Sequence, residues 1–376
     1  MTDAPPPLPT DLGPLLDRLA QACEELLLAG LTTASETTRQ TLAVAAQEAS
    51  RRQVLRLAST LRIANEELGR FTRQESDFSR KRLLFFLNRT WLLARGLGRA
   101  LAAQDRLAFQ RLLRANSPTS VSRIEVVTLG VTKKIAAGAF VAFDFRLRTL
   151  APVTLGERTL PEGSRLLWST VFPVKPGVEL PAEGFLHLPQ KQKFNASVFL
   201  EKRKLVIEQA AVTLDATGPG RIALRDDSRV TAADPFCDWQ RFLSWDPAQT
   251  RAAVAAHQTS PFDLEVELHD EIVLEDWQIG ESSTRAETGQ RVYPVTARGL
   301  TFDAVVSPGT EGEALATALD ATITAKKRPP LFGLLHFDLC RLVLQPLTLF
   351  DKQTPTYIML STKNIDRSQL LKALKF

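Results

Sequence analysis

DFSRKRLLFFLNRTWLLARGLGRALAAQDRLAFQRLLRA, residues 77–115, is the stretch on which the reading of this chain turns. At about 100° per residue, Leu83, Leu87, Trp91, Ala94, Leu101, Ala108, Phe109 and Leu112 fall on one face of a helix. Lys81, Arg95, Arg99 and Arg106 line one flank, and Arg82, Arg89, Arg111 and Arg114 the other. Phe85, Phe86, Leu92 and Leu93 leave the first half apolar around most of its circumference, which predicts burial on more than one side. The spacing predicts one helix, capped by Ser76 or Asp77 and weakened or kinked midway by Gly96 and Gly98. Nine basic residues stand against two acidic ones, so this stretch carries more than the net charge of the whole chain, +5.

Upstream, the pattern predicts helices that pack on this one. Pro5, Pro6 and Pro7 exclude helix from residues 1–10, read as a disordered lead. Thr10 or Asp11 caps a first helix with Pro14 in its opening turn. Leu12, Leu15, Leu16, Leu19, Cys23, Leu26 and Leu27 form its stripe, and it ends near Gly30. Cys23 reads as a small core residue. Thr32 or Thr33 opens the next helix, with Glu36 placed for a capping box on Thr33. Nothing interrupts that helix before about Arg73. Short connections make neighbours antiparallel, so residues 11–117 are predicted to form a helical bundle of three helices or four segments.

Downstream the grammar changes to period two. Segments 124–129, 140–148, 166–171, 196–199, 204–209, 211–214 and 221–224 read as strands, with Lys133, Lys134 and Gly138 connecting the first two and Pro-Gly turns further on. Residues 233–258 read as a helical joint carrying Trp239, Phe242, Leu243 and Trp245. Beyond it come a long alternating strand (264–274), a pair joined through Arg298-Gly299 (292–296 and 301–306), a helix near 311–325, strands over 334–350 and 356–360, and a terminal helix near 366–374. The expected fold is α+β and multidomain: an antiparallel helical bundle, then a mostly antiparallel β-rich region with a few helices. Units over 118–232 and 259–376 are either one domain or two. No internal repeat is visible.

The chain has 376 residues, 44% of them hydrophobic and 24% charged, which is ordinary for a globular protein with a sizeable core. Cys23, Cys237 and Cys340 lie too far apart for a disulfide framework or a zinc module. The start, MTDAPPPLPTDLG, lacks the basic opening and apolar run of a signal peptide, and no uncharged apolar run is long enough for a membrane helix. The expected location is the cytoplasm.

Chemistry is sparse. On the strand 264–274, Glu265, Glu267, His269 and Glu271 share one face, with Leu264, Val266, Leu268 and Ile272 on the other. Carboxylates and an imidazole suit a divalent cation, which would make the chain a metal-dependent or hydrolytic enzyme. Same-face neighbours stand about 7 Å apart, however, and like charges in a row mark a face turned to water. His336, Asp338 and Cys340 also share a strand face, but next-but-one neighbours rarely reach each other for nucleophilic chemistry. No phosphate-loop, dinucleotide-binding or GxSxG pattern occurs, and no cofactor is expected.

The remaining signal is the basic helix. It reads as a surface for a partner protein with an acidic face, with Arg95, Arg99 and Arg106 as the contact residues, in a non-enzymatic accessory or scaffold protein. Glu24, Glu25, Glu48, Glu66 and Glu67 on neighbouring helices are the groups that would otherwise meet these charges. Nucleic acid is the other acidic partner, disfavoured because no aromatic residue is interleaved on the basic flanks.

The helical block, with LRIANEELGRF at residues 61–71 and FSRKRLLFFLNRTWLLARGL at residues 78–97, resembles uncharacterised bacterial proteins associated with MoxR-type AAA ATPases, von Willebrand A domain proteins and SWIM zinc-finger proteins. The chain has neither the Cys-x-Cys start of such a finger nor a Walker motif. The resemblance implies an accessory role, with a component of an AAA ATPase system as the partner.

Overall fold

The computed structural model describes residues 10–31, 34–75, 78–113, 118–136, 140–156, 158–174, 180–214, 219–256, 270–286, 288–309, 312–338, 341–351 and 354–361. The chain is α+β. A helical unit occupies the residues before Pro118, and a strand-rich unit most of those after it.

In the helical unit a 3-10 turn (Thr10–Leu12) leads into α1 (Gly13–Ala29), followed by α2 (Glu36–Arg51), α3 (Leu55–Thr72), α4 (Arg80–Ala102) and α5 (Arg106–Leu113). One core unites Leu15, Leu16, Leu19 and Cys23 of α1 with Leu42 and Ala46 of α2, Leu57, Leu61 and Leu68 of α3, and Leu83, Leu87, Leu93 and Leu97 of α4. Each fully buried leucine contributes about 1.5–3 kcal/mol.

Two helices predicted as continuous are broken. The expected helix from Thr33 to Arg73 is α2 and α3, and residues 77–115 hold α4 and α5. The same device makes both breaks and also ends α3. Gln53 (φ 60°), Gln74 (φ 55°) and Gln104 (φ 52°) adopt the left-handed conformation two residues past the end of a helix, just after its C-cap. Their N–H groups bond to Ser50, Phe71 and Leu101, while the next N–H groups, of Val54, Glu75 and Asp105, reach back to Ala49, Arg70 and Ala100. These are Schellman motifs with glutamine where glycine is usual. Gly96 and Gly98, by contrast, lie inside an unbroken α4. A Cβ on Gly96 would stand 3.0 Å from Leu112 Cδ1, so this glycine lets α5 fold back onto α4. The caps also sit later than expected: Ser35 forms a capping box with Thr38 ahead of α2, and Ser79 accepts the Arg82 N–H ahead of α4.

The strand-rich unit starts with β1 (Thr119–Ala136), which absorbs Lys133 and Lys134. Then come β2 (Phe140–Thr149), a small hairpin of β3 (Val153–Leu155) and β4 (Arg158–Leu160), and β5 (Arg165–Pro173), β6 (Arg203–Thr213) and β7 (Gly220–Pro235). Segment 196–199, read as a strand, is a 3-10 turn. Its Phe199 fills the barrel by stacking on Trp168, with ring centroids 4.2 Å apart. The strands close into a barrel of order β1-β2-β5-β7-β6, antiparallel except where β5 meets β7.

After α6 (Pro247–Ala256) follow β8 (Asp270–Leu274), β9 (Gln278–Ile279), β10 (Ser283–Thr284), β11 (Arg291–Ala297), β12 (Leu300–Val306), α7 (Glu313–Ile323), β13 (Leu331–Asp338), β14 (Arg341–Asp351) and β15 (Thr354–Tyr357). Leu334–Phe350 is therefore a hairpin rather than one strand. The predicted β11–β12 pairing is present, turned by Arg298 (φ 45°) and Gly299 (φ 77°). The predicted terminal helix at 366–374 and the first part of the strand 264–274 lie outside the described residues.

Here β8 pairs with β13 and β9 with β11, so one bent segment edges both ends of the path β11-β12-β14-β13-β8. Numbered by barrel position, the first half is a closed barrel and runs first-second-third-fifth-fourth-first; the second, a sheet closed only if β8 and β9 are taken together as its first strand, follows the same order. The third and fifth strands are parallel in each, β5 with β7 and β12 with β14. That is the strand order of the OB-fold, here twice in tandem. The joint Phe236–Trp245 seals the second barrel: Trp239 and Leu243 are buried in its core with Tyr293, Phe302 and Phe350.

Candidate functional site

In the helical unit, α1 and α2 are separated by an open groove. One part of about 310 Å³ is lined by Leu15, Arg18, Leu19, Thr37, Gln40, Thr41, Val44, Ala45 and Glu48. The other, about 420 Å³, is lined by Ala22, Glu25, Leu26, Ala29, Ser35, Thr37, Thr38, Thr41 and Leu42. Thr37 and Thr41 belong to both, so the groove follows the length of the helix pair. Its floor is leucine and alanine and its rim is polar. Val44, 61% exposed, stands in its wall, and Leu28, 89% exposed, projects near the end of α1. Arg52 and Asp11 close one end at 2.8 Å, and a longer Arg18–Glu48 contact of 3.9 Å lies near that same end.

The three arginines singled out from the sequence are not equivalent. Arg95 Nη2 donates to Glu24 Oε1 at 2.7 Å, and Trp91 Nε1 donates to the same oxygen at 2.6 Å. The bond from Arg95, then that from Trp91, holds the Glu24 carboxyl below its ordinary range. Arg99 is exposed on α4, and Arg106 is exposed at the start of α5. The break at Gln104 thus interrupts the stripe that one continuous helix would have made. Of the acidic neighbours, Glu67 is fully buried and binds Arg70 at 2.6 Å and Arg82 at 3.1 Å. Glu48 and Glu66 pair with Arg52 and Arg70.

In the strand-rich unit, Glu265, Glu267 and His269 lie outside the described residues. Glu271 is placed, and it is neither solvated nor open to a metal. It is buried against the outer face of the first barrel, with Oε2 2.5 Å from Arg148 Nη1 and Oε1 3.7 Å from Arg146 Nη1. Arginines already occupy the negative charge a cation would need. Asp270 pairs beside it with Arg165. His336 lies on β13, and the side chains of Asp338 and Cys340 are outside the description. Among the described residues, no group of three His, Cys, Asp or Glu is arranged to hold a metal, and no helix is long and apolar enough to cross a membrane.

Sequence reasoning missed the arginine face. Arg146 and Arg148 alternate with Phe145 and Leu147 on β2, so the pattern could show a polar outer face but not what covers it. The second barrel lies on that face. Thr348 Oγ1 donates to the Leu129 carbonyl at 2.7 Å, Tyr357 Oη donates to the Thr128 carbonyl at 3.1 Å, and the Arg148 guanidinium stands 6.0 Å from the Phe332 ring centroid. Beside it opens a polar cleft of about 400 Å³, lined by Arg148, Glu162, Gly163, Arg165, Arg241, Phe242, Ser244, Glu271 and Val273.

Fold and sites together define a chain assembled from a helical bundle with an open groove and a tandem pair of OB-type barrels. No family model matches it, and no curated protein does. Sixteen chains of solved structures match. One is described as "Crystal structure of Ifi202 HINa domain in complex with 20bp dsDNA"; it is 11% identical with a TM-score of 0.27, covering 61% of this chain and 94% of that one. Another, described as "Molecular basis for abrogation of activation of pro-inflammatory cytokines", is 10% identical with a TM-score of 0.27, covering 62% and 91%.

Proposed function

We propose that the chain is a non-enzymatic accessory protein that holds a helical segment of a partner protein in the groove between α1 and α2, with the tandem barrels as scaffold. The observation that carries this reading is the groove itself. It is apolar along its floor, polar along its rim and as long as a helix pair, the surface that an amphipathic helix fills. Its lining residues include Arg18, Glu25 and Glu48. Arg18 faces Glu48, which leaves Glu25 to favour a partner helix with a basic flank. Arg99 and Arg106 would add a second, electrostatic contact to an acidic part of the same partner. Arg95, paired with Glu24, is the third of these contact residues. An AAA ATPase system component is the partner that the sequence resemblance suggests.

A photo-crosslinking residue at Val44 tests this in cells, with the same residue at exposed Ser59 on α3 as the comparison. A discrete adduct at Val44, absent at Ser59 and lost on Thr41→Arg, supports the groove. Adducts of equal yield at both positions, or none at Val44, would remove it. Charge reversal of Arg95, Arg99 and Arg106 together then asks whether the arginines contribute to the same adduct.

A second reading, nucleic-acid binding, is favoured by one observation, the OB strand order, since such barrels commonly bind oligonucleotides on the face of their second and third strands. In the first barrel that face carries the buried Arg146 and Arg148. In the second it carries Pro294, Thr296, Thr301 and Asp303, with no aromatic side chain to stack bases. Retention on a single-stranded DNA column that falls steeply with salt supports this reading; flow-through at low salt ends it.

A further inference from the structure

The outer face of β2, β5 and β7 concentrates arginine. Arg148 pairs in register with Arg165, and Arg146 with Leu167, which in turn pairs with Arg221. Four guanidinium groups thus rise from two adjacent rows of one sheet face. Among the described residues, few acids pair with Arg146, Arg148 and Arg165. Asp144, in the next row, accepts from Ser169 at 2.5 Å. Asp270 and Glu271 come from β8 of the second barrel.

The balance is unequal where water is excluded. Arg146 and Arg148 are 7% and 8% exposed, and they share one carboxylate, that of Glu271. Among the described residues, two buried cations meet one buried anion in a region of low dielectric, with half-buried Asp144 adding a further attraction on Arg146, an arrangement that favours another anion. Arg146 Nε is buried and has no hydrogen-bond acceptor, and both Glu271 carboxylate oxygens are likewise buried without a hydrogen-bond donor. Burial, ahead of the opposing attraction of Glu271, also pulls the Arg146 guanidinium below its usual range.

The polar cleft opens at this point. Arg148 stands in its wall and Arg165 at its rim, and Arg241 approaches from the joint, its guanidinium 5.1 Å from the Phe242 ring centroid and paired with Glu162. Ser244 adds a hydroxyl. Asp270 pairs with Arg165, and Asp238 lies 3.8 Å from Arg241, so the rim charges are matched and the excess rests on Arg148 in the wall, with Arg146 behind it. We propose that this cleft binds a phosphate group, held by Arg165 and Arg241 at the rim and Arg148 in the wall. Planar guanidinium forks match phosphate oxygens two at a time, and a doubly charged oxyanion offsets the excess that a single carboxylate leaves. At about 400 Å³ the cleft is larger than a phosphate ion alone, so it has room for the molecule that carries the group. The proposal is independent of the groove on the helical unit.

Titration of the full chain with inorganic phosphate by calorimetry, against chloride at matched ionic strength, tests it. A second arm uses a short single-stranded oligonucleotide. Saturable one-to-one phosphate binding is expected, weakened about ten- to a hundredfold by Arg165→Gln or Arg241→Gln. Both side chains are part-exposed, 44% and 31%, so the variants should fold, which far-UV circular dichroism checks. Glu162→Gln should tighten binding several-fold by releasing Arg241. An oligonucleotide that displaces phosphate identifies the source as a nucleic-acid backbone, and one that does not identifies a free phosphate or small ester; either supports the site. Absence of saturable binding, or binding unchanged in both arginine variants, overturns it.

Discussion

Phe332 of the second barrel lies in the space that a side chain on Gly130 of the first would fill. A Cβ at Gly130 would stand 2.7 Å from Phe332 Cε1 and 3.1 Å from Leu347 Cδ1. The register of β1 on β2 shifts between Thr128 and Gly130, so Leu129 joins the core of the second barrel instead of its own. Gly130→Ala should therefore lower stability by about 1–3 kcal/mol through overpacking. Phe332→Leu should recover part of that loss in the Gly130→Ala background, although it destabilises alone. Urea denaturation of the four proteins measures the coupling, and additive effects would mean that the two residues do not meet.

The glutamine that ends each of three helices predicts a gain. An L-residue in the left-handed conformation costs about 1–2 kcal/mol, and glycine escapes most of this while losing some of it back as chain entropy. Gln104→Gly should stabilise the helical unit by roughly 0.5–1 kcal/mol. Gln104→Ala should be close to neutral. Loss of stability in Gln104→Gly beyond that of the alanine variant would contradict the cap.

These glutamines also explain what the sequence concealed. The apolar stripes of α1 and α4 were legible, because burial on one face imposes a 3.6-residue period. So was the Arg298-Gly299 hairpin, because a glycine marks it. The breaks at Gln53 and Gln104 were not, since glutamine is a good helix former and nothing local announces a left-handed residue. The tandem barrel escaped for another reason. The first strand is 18 residues long in one copy but bent into β8 and β9 in the other, so the repeat lives in pairing order rather than in spacing. Glu271 shows the limit for sites. Period two placed it on one face of a strand, but only the tertiary fold reveals that this face meets Arg148.

Cys23 and Cys237 should differ sharply in reactivity. Cys23 is fully buried, and burial, aided by Glu24, pushes its thiol up to about 12. Cys237 is exposed. The thiolate is the nucleophile, so at pH 8 only Cys237 of this pair should be alkylated by iodoacetamide within minutes, with Cys23 labelled only on unfolding. Peptide mapping by mass spectrometry reads the two sites separately. Equal labelling in the native protein would show that α1 does not bury Cys23 in the bundle core.

Lys133 and Glu183 supply a pH-dependent contribution inside the first barrel. Lys133 Nζ donates to Glu183 Oε1 at 2.8 Å, with side chains only 3% and 12% exposed. The Ser361 N–H donates to the same oxygen at 2.9 Å. Burial raises the Glu183 carboxyl, but the bonds from Lys133 and Ser361 outweigh it and hold the group below its ordinary value of 4.5. A carboxyl whose folded pKa is depressed adds stability above the unfolded value, and that stability fades as pH falls through the folded one. Glu183→Gln should therefore cost about 1.5–3 kcal/mol at pH 7. The gap between variant and parent should stay constant down to about pH 5 and narrow below it as the parent loses its ion pair. Denaturation midpoints from pH 7 to pH 3 give the comparison. A gap that persists undiminished at pH 3 would show that the Glu183 charge is not what the variant removes.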